Sequence, residues 1–181
     1  MSTTPDINEL QWFVMRDLKR HNALIPAWKM LSEAGFEVFT PLHTVVVDRQ
    51  LTHRRVTRPV IPDLLFVHSS RRLLDPVVDS VPTLQYRFLR NARRKPMAVP
   101  EDDMQRFIHA VQATEGPRYF RPDEITPAMI GNAIEIIGGP LNGYKGNLLK
   151  LRGSRKRRLI VNLPDIFSVA VEVSPEFIRL I

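Results

Sequence analysis

A chain of 181 residues with 44% apolar content has the length and apolar fraction for one globular domain or two small ones. It has no cysteine, no apolar run near the roughly 20 residues of a membrane helix and no signal-peptide pattern; this leaves no thiols for disulfides or metal sites and fits a cytoplasmic protein. The net charge of +7, with a pI near 10.2, points either to an anionic partner, of which nucleic acid is the usual one, or to an inert basic surface.

After a polar start to Asn8, the run Gln11 to Arg16 (QWFVMR) reads as a buried strand, rich in aromatic and β-branched residues. A helix is predicted over about Leu24 to Ala34, with Asn22 as cap, Pro26 in the first turn and Gly35 as stop. Ala27, Met30, Leu31 and Ala34 share one face of it. Phe36 to Thr40 is a strand, and Val45-Val46-Val47 begins another. Asp48 to Arg58, with Arg49, His53, Arg54, Arg55 and Arg58, reads as the exposed tip and return of a hairpin. It is either a solvated basic loop or a phosphate-contacting one. Val60 to Val67 turns into a mostly apolar strand covered on both faces. Asp75-Pro76 predicts the start of a short helix that ends before Val81-Pro82, and Leu84 to Leu89 returns as a strand. Asn91 to Lys95 forms a second basic patch. Pro100 then opens a helix to about Ala113, with acidic residues in its first turn and Met104, Phe107, Ile108 and Val111 on its apolar face. The mixed order predicts an α+β domain, residues 8–113, with an antiparallel sheet flanked by helices.

Residues 114–126, with Gly116-Pro117 and Pro122, read as a semi-rigid linker, and 127–181 as a second, all-β domain. That domain is organised around Ile130 to Leu151. Ala133 to Ile137 breaks at Gly138-Gly139-Pro140, turns at Asn142-Gly143 and resumes as Asn147 to Leu151, a hairpin signal. Leu159 to Val161 gives a third strand and Phe167 to Val173 a fourth. Strict alternation in the fourth places Phe167, Val169, Val171 and Val173 inward and Ser168, Ala170 and Glu172 outward. Ser174-Pro175, then Phe177, Ile178 and Leu180, close a small barrel.

The spacing G-x-x-I-x-I-x-x-G-P-L-x-G-x-x-G, Gly131 to Gly146, resembles the KOW motif of an SH3-like barrel. An α+β domain of NGN type tied by a short linker to a KOW barrel is similar to the NusG family of transcription elongation factors. Trp12-Phe13 matches the family's opening strand, Ile61-Pro62-Asp63-Leu64-Leu65-Phe66-Val67 its F-P-x-Y-hydrophobic strand, and Ser80-Val81-Pro82 the phrase after the middle helix. The divergent details look more like the specialised paralogues, including RfaH and the antiterminators of capsular-polysaccharide operons in Bacteroides, towards which Ile166 to Ile181 leans.

The resemblance implies an antitermination or elongation factor that grips the clamp helices of the RNA polymerase β′ subunit and suppresses pausing or termination on specific operons. The positions matching the family's apolar patch are Trp12, Ile61, Pro62 and Leu64; Ile61 and Leu64 are aliphatic where the family has aromatics, and Trp12 reads equally as core. Arg71, Arg72, Arg93, Arg94 and Lys95 match the side that meets upstream or non-template DNA. In the barrel, Leu141, which replaces a family phenylalanine, Ile166 and Phe167 match exposed apolar positions that recruit Rho or the ribosomal protein NusE. The run Arg152 to Arg158 suits RNA, an acidic protein surface or plain solvation. The β-branched alternation of Val169 to Val173 argues for a stable barrel rather than a fold-switching one. The alternative is a KOW-type RNA-binding or ribosome-associated protein. The five histidines form no metal-ligand spacing and no nucleophile or phosphate-loop motif is present, so neither an enzyme, a metal nor a cofactor is expected, and the protein is expected to be a monomer.

Overall fold

A computed structural model describes residues 6–20, 23–49, 52–90 and 94–181. By their internal packing the residues fall into two units, Met1–Glu101 and Asp102–Ile181, a boundary at the start of the third helix rather than after it. The first unit runs β1 (Gln11–Asp17), α1 (Ala27–Glu33), β2 (Glu37–Phe39), β3 (Leu42–Arg49), β4 (Thr52–Pro59), β5 (Leu64–Ser69), α2 (Arg71–Ser80), β6 (Leu84–Tyr86) and β7 (Ala98–Val99).

Its main sheet has the order β2-β5-β1-β6, with β7 also on β1, and every pairing is antiparallel. Because side chains alternate, Phe13 and Met15 of β1 share a face with Leu65 and Val67 of β5. That face packs with Leu84 and Tyr86 against Ala27 and Leu31 of α1 and Leu74 of α2. Trp12, Val14 and Phe66 fall on the other face and are equally buried, so both strands read as continuous apolar runs.

Helix α1 starts later than predicted. Pro26 holds an extended conformation at its N-cap, which leaves Leu24 95% exposed, and Asn22 lies outside the described residues. Gly35 ends it at φ +88, as a glycine stop requires. Helix α2 starts earlier, at Arg71, with Pro76 inside it rather than at its first turn. The proline forfeits one backbone bond. Burial of Leu74, and of Val77 and Val78 in part, offsets that loss. Strand β7, unpredicted, is two residues long and carries no periodic signal.

The second unit runs from α3 (Glu101–Gln112, whose first residue belongs to the first unit) through β8 (Arg118–Phe120), β9 (Ile130–Ile136), β10 (Lys145–Leu149), β11 (Arg158–Leu163), β12 (Phe167–Glu172) and β13 (Ile178–Leu180). Its six strands form one antiparallel sheet, ordered β13-β9-β10-β11-β12-β8. The inner face carries Ile134, Ile136, Leu159, Val161, Phe167, Val169 and Val171, all at most 5% exposed.

Two expectations are corrected here. Residues 114–126 are not a plain spacer: Arg118–Phe120 pairs with β12 as an edge strand. Phe120 and Ile125, with Met129 and Leu151, then pack over Leu149, Ile160 and Ala170 on the sheet's outer face. For that reason Ser168 and Ala170, predicted outward, are 8% and 1% exposed. Alternation reports which way a side chain points, not whether chain from elsewhere covers it.

The glycine hairpin has a steric cause. Gly138 and Gly139 sit at φ +131 and +65 with the Phe177 ring against them, and a Cβ on either would come within 2.8 or 2.9 Å of it. Gly143, at φ +85, has open space beside it. Gly139→Ala is therefore expected to cost about 2–3 kcal/mol, backbone strain plus displacement of Phe177, and Gly143→Ala about 1 kcal/mol from strain alone. Urea unfolding of the two variants measures the difference.

Candidate functional site

The residues matching the polymerase patch divide between surface and core. Ile61-Pro62-Asp63-Leu64 is a tight turn, with Leu64 N–H donating to the Ile61 carbonyl at 3.2 Å and Pro62 at its second position. The Arg16 guanidinium donates to Asp63 at 3.2 Å and steadies the turn from β1. Pro62 is exposed and Ile61 half-buried, whereas Leu64 is 5% exposed.

Trp12, at 1% exposed, takes the core alternative. It stacks on His68 with ring centroids 4.9 Å apart and planes within 14°. His68 lies between two carboxylates, Nδ1 at 2.7 Å from Glu37 and Nε2 at 3.2 Å from Glu101. Trp12 faces His68 and Leu64 faces Arg16, so four residues of β5, about 13 Å, separate them. The turn and the tryptophan are not one patch.

The predicted nucleic-acid residues also divide. Arg71 donates to Asp75 at 2.8 and 3.2 Å, Tyr86 Oη donates to the same carboxylate at 2.7 Å, and the guanidinium lies 5.9 Å from the Tyr86 ring centre. Burial, then the hydrogen bond to Asp75, push the Tyr86 phenol well above its ordinary pKa, and the Asp75 hydrogen bond raises that of Arg71. Arg71 thus ties α2 to β6. Arg72, Arg94 and Lys95 are exposed, Arg94 at φ +56, and Arg93 lies outside the described residues. Arg54 and Arg55 are exposed on β4, with Arg58 half-buried on the same strand.

In the second unit, Leu141, Ile166 and Phe167 are 5%, 6% and 0% exposed, which corrects the expectation that they are surface residues. Phe167 points inward on β12, and its ring meets Phe107 of α3 edge-on at 4.9 Å and Tyr119 of β8 at 6.1 Å. Ile166 ends a Leu163-Pro164-Asp165-Ile166 turn, where Asp165 takes the left-handed conformation at φ 60. Leu141 sits beneath the glycine hairpin, beside a cavity of about 380 Å³ lined also by Ile136, Phe177, Lys156 and Glu172.

A polar latch fixes α3 over the same region. Tyr144 Oη donates to the Arg106 carbonyl at 2.8 Å and lies 2.9 Å from His109 Nδ1. The Arg106 guanidinium reaches the Lys145 carbonyl at 2.6 Å and stands 4.7 Å over the Tyr144 ring. The apolar face of α3 is legible in the sequence as Met104 and Phe107; its partners Tyr144 and Phe167, some 40 and 60 residues on, leave no local signal. No group of histidines and carboxylates among the described residues has the geometry to hold a metal ion, and no described helix is long and apolar enough to cross a membrane.

Fold and site together define a two-unit protein: an antiparallel sheet with packed helices, then an all-β unit built on a glycine hairpin. The family described as "Transcription termination factor nusG" matches residues 10–108. The chain belongs to the NusG family, whose members are non-enzymatic transcription factors acting in elongation and termination and interacting with RNA polymerase. Among solved structures, one described as "Domain interaction in Thermotoga maritima NusG" is similar at 15% identity and TM-score 0.50, over 97% of this chain and 99% of that one, a likeness of fold. No curated protein gives a significant match.

Two outcomes follow from the surroundings of Phe167. Phe107→Ala removes its edge-on partner from a fully buried site and is expected to cost about 3–5 kcal/mol in denaturant unfolding. Burial also pushes the Tyr119 phenol up to about 12. Since the folded value lies above the ordinary one near 10, this stabilises the fold below about pH 10 and is lost as pH rises towards 12. Tyr119→Phe should flatten the fall in melting temperature across that window.

Proposed function

We propose that this chain is a specialised elongation and antitermination factor whose residues 8–113 bind the clamp helices of RNA polymerase. By bridging the cleft it disfavours the paused state, an effect of differential binding to one of two conformations. The observation that carries the reading is the family match over residues 10–108, which spans β1, the Ile61–Leu64 turn and β5. Within it, Ile61 and Pro62 supply the apolar contact, and buried Trp12 and Leu64 hold the strands that present them. Aliphatic Ile61 and Leu64 in place of family aromatics, and Leu141 in place of a phenylalanine, support a specialised paralogue serving particular operons.

Arg72, Arg94 and Lys95 contact upstream or non-template DNA in this reading, as does Arg93, which lies outside the described residues; Arg71 instead pairs with Asp75 within α2. Residues 127–181 act as the KOW module, joined through 114–126, and recruit Rho or NusE; buried Leu141, Ile166 and Phe167 hold the hairpin, the turn and the strand behind that contact rather than making it.

The test is binding of the full chain to core RNA polymerase. Ile61→Asp places a carboxylate on the surface turn and is expected to weaken binding tenfold or more, about 1.4 kcal/mol, with the melting temperature little changed. Leu64→Asp buries the charge instead and should lower the melting temperature first. Unchanged affinity in folded Ile61→Asp would remove the turn from the interface.

A further inference from the structure

The second unit holds a cavity of about 250 Å³ that the polymerase reading does not use. Polar side chains from three elements converge on it: Asp103 and Arg106 of α3, Lys145 and Asn147 of β10, and Asn162 of β11. Its apolar lining is isoleucine, with Ile160 from the sheet's outer face and Ile125 and Ile130 from the chain that crosses that face. Clefts for drug-sized ligands run to about 300–1,000 Å³, so this one suits a smaller molecule.

Its charges are held apart. Asp103 and Arg106 lie one turn apart on α3, a spacing at which opposite charges ordinarily pair. Here Arg106 is drawn instead to the Lys145 carbonyl, at 2.6 Å, and to the Tyr144 ring. None of the ion pairs among the described residues takes up Asp103. Hydrogen-bonding capacity of both kinds is left over. Asn147 donates from its amide nitrogen to the Gly131 carbonyl at 3.1 Å and keeps Oδ1 as an acceptor. Asn162 Oδ1 accepts from Ser168 at 2.7 Å, which keeps the amide N–H groups as donors. Arg106 spends one of its five N–H groups on the carbonyl. The Lys145 ammonium stands 3.8 Å from Glu135, beyond hydrogen-bond range.

We infer that this cavity is a binding site for a free α-amino acid with a branched apolar side chain. The ligand's carboxylate accepts from Arg106, Lys145 and the Asn162 amide, charge-assisted bonds of the stronger kind. Its ammonium group donates to Asp103 and to Asn147 Oδ1, and its side chain lies on the three isoleucines. Neighbours at this spacing on a helix have Cβ atoms about 5–6 Å apart. A zwitterion, with opposite charges on adjoining atoms, answers both members of the separated pair at once. A simple anion would meet like charge at Asp103, and a simple amine would meet it at Arg106 and Lys145; each mismatch selects against the wrong ligand. The inference does not rest on polymerase binding or on any arginine of the first unit.

The experiment is isothermal titration calorimetry of the full chain with L-leucine. Three fragments of the same ligand serve as controls: 4-methylpentanoate, which lacks the ammonium group, 3-methylbutylamine, which lacks the carboxylate, and glycine, which lacks the side chain. L-Leucine should bind saturably and each fragment tenfold or more weakly. Asp103→Asn and Lys145→Met, both at exposed positions, should each weaken L-leucine binding tenfold or more with the melting temperature little changed. Asp103→Asn should at the same time narrow the gap between L-leucine and 4-methylpentanoate, since the group that reads the ammonium has lost its charge. If either variant misfolds by circular dichroism, Asn162→Ala, also exposed, gives the same readout at the carboxylate. No saturable binding of L-leucine to the folded chain would overturn the inference. Equal binding of L-leucine and 4-methylpentanoate would assign the cavity to simple anions, and unchanged affinity in Asp103→Asn would place any bound leucine elsewhere; either result overturns it as well.

Discussion

The antiparallel ladder between β1 and β5 bears most of the first unit. Six rungs, Gln11↔Ser69 to Arg16↔Leu64, fix which side chains face which way on the two innermost strands. A slip of one residue would exchange Phe13 and Met15 with Trp12 and Val14 on β1, and Leu65 and Val67 with Phe66 and His68 on β5. Since both faces are buried, such a slip would bring His68 into the apolar cluster against α1 and α2 and strip it of Glu37 and Glu101. The register is thus held by polar positions as well as apolar ones. The surface features hang from its ends: the Ile61–Leu64 turn leads into β5 at one end, and α2 leaves it at the other.

The second unit meets a different constraint. A six-stranded sheet of about 50 residues has little material with which to cover both faces. Its inner face is closed by its own aliphatic rows. The outer face borrows Phe120 and Ile125 from the segment before it, and α3 adds Phe107 against Phe167. At the far end Phe177 closes down on two glycines that leave room for the ring. Charge is placed at the rim: Glu135 is flanked by Arg179 and Lys145, and the hydrogen bond from Arg179 holds its carboxyl below the usual carboxylate range.

What was legible in the sequence was whatever local chemistry determines. The run QWFVMR, the Gly35 stop, the glycine hairpin and the acidic opening of α3 each carry their cause within a few residues, and each appears where the pattern places it. What failed depended on distant partners. Asp75-Pro76 has the composition of a helix start, yet Asp75 serves as the acceptor for Arg71 one turn earlier and for Tyr86 on another strand. The resemblance predicts Leu141, Ile166 and Phe167 at the surface, yet all three are buried, Phe167 against Phe107, 60 positions away. A motif names residue types at a spacing; it does not say what lies over them.

The same distinction separates the arginines by role. An exposed ion pair contributes little to stability, so the pairing of Arg71 with Asp75 matters chiefly because Tyr86 shares the carboxylate and fixes its position. Arg158, 6% exposed, is held at Ser154 Oγ at 2.9 Å, and Arg106 is committed to Tyr144 and the Lys145 carbonyl. These cations are internal parts. Arg54, Arg55, Arg152, Arg155 and Arg157 are exposed and outside the ion pairs of the described residues, as are Arg72, Arg94 and Lys95, so part of the positive charge sits on the β3–β4 ribbon and part on loops and a helix surface.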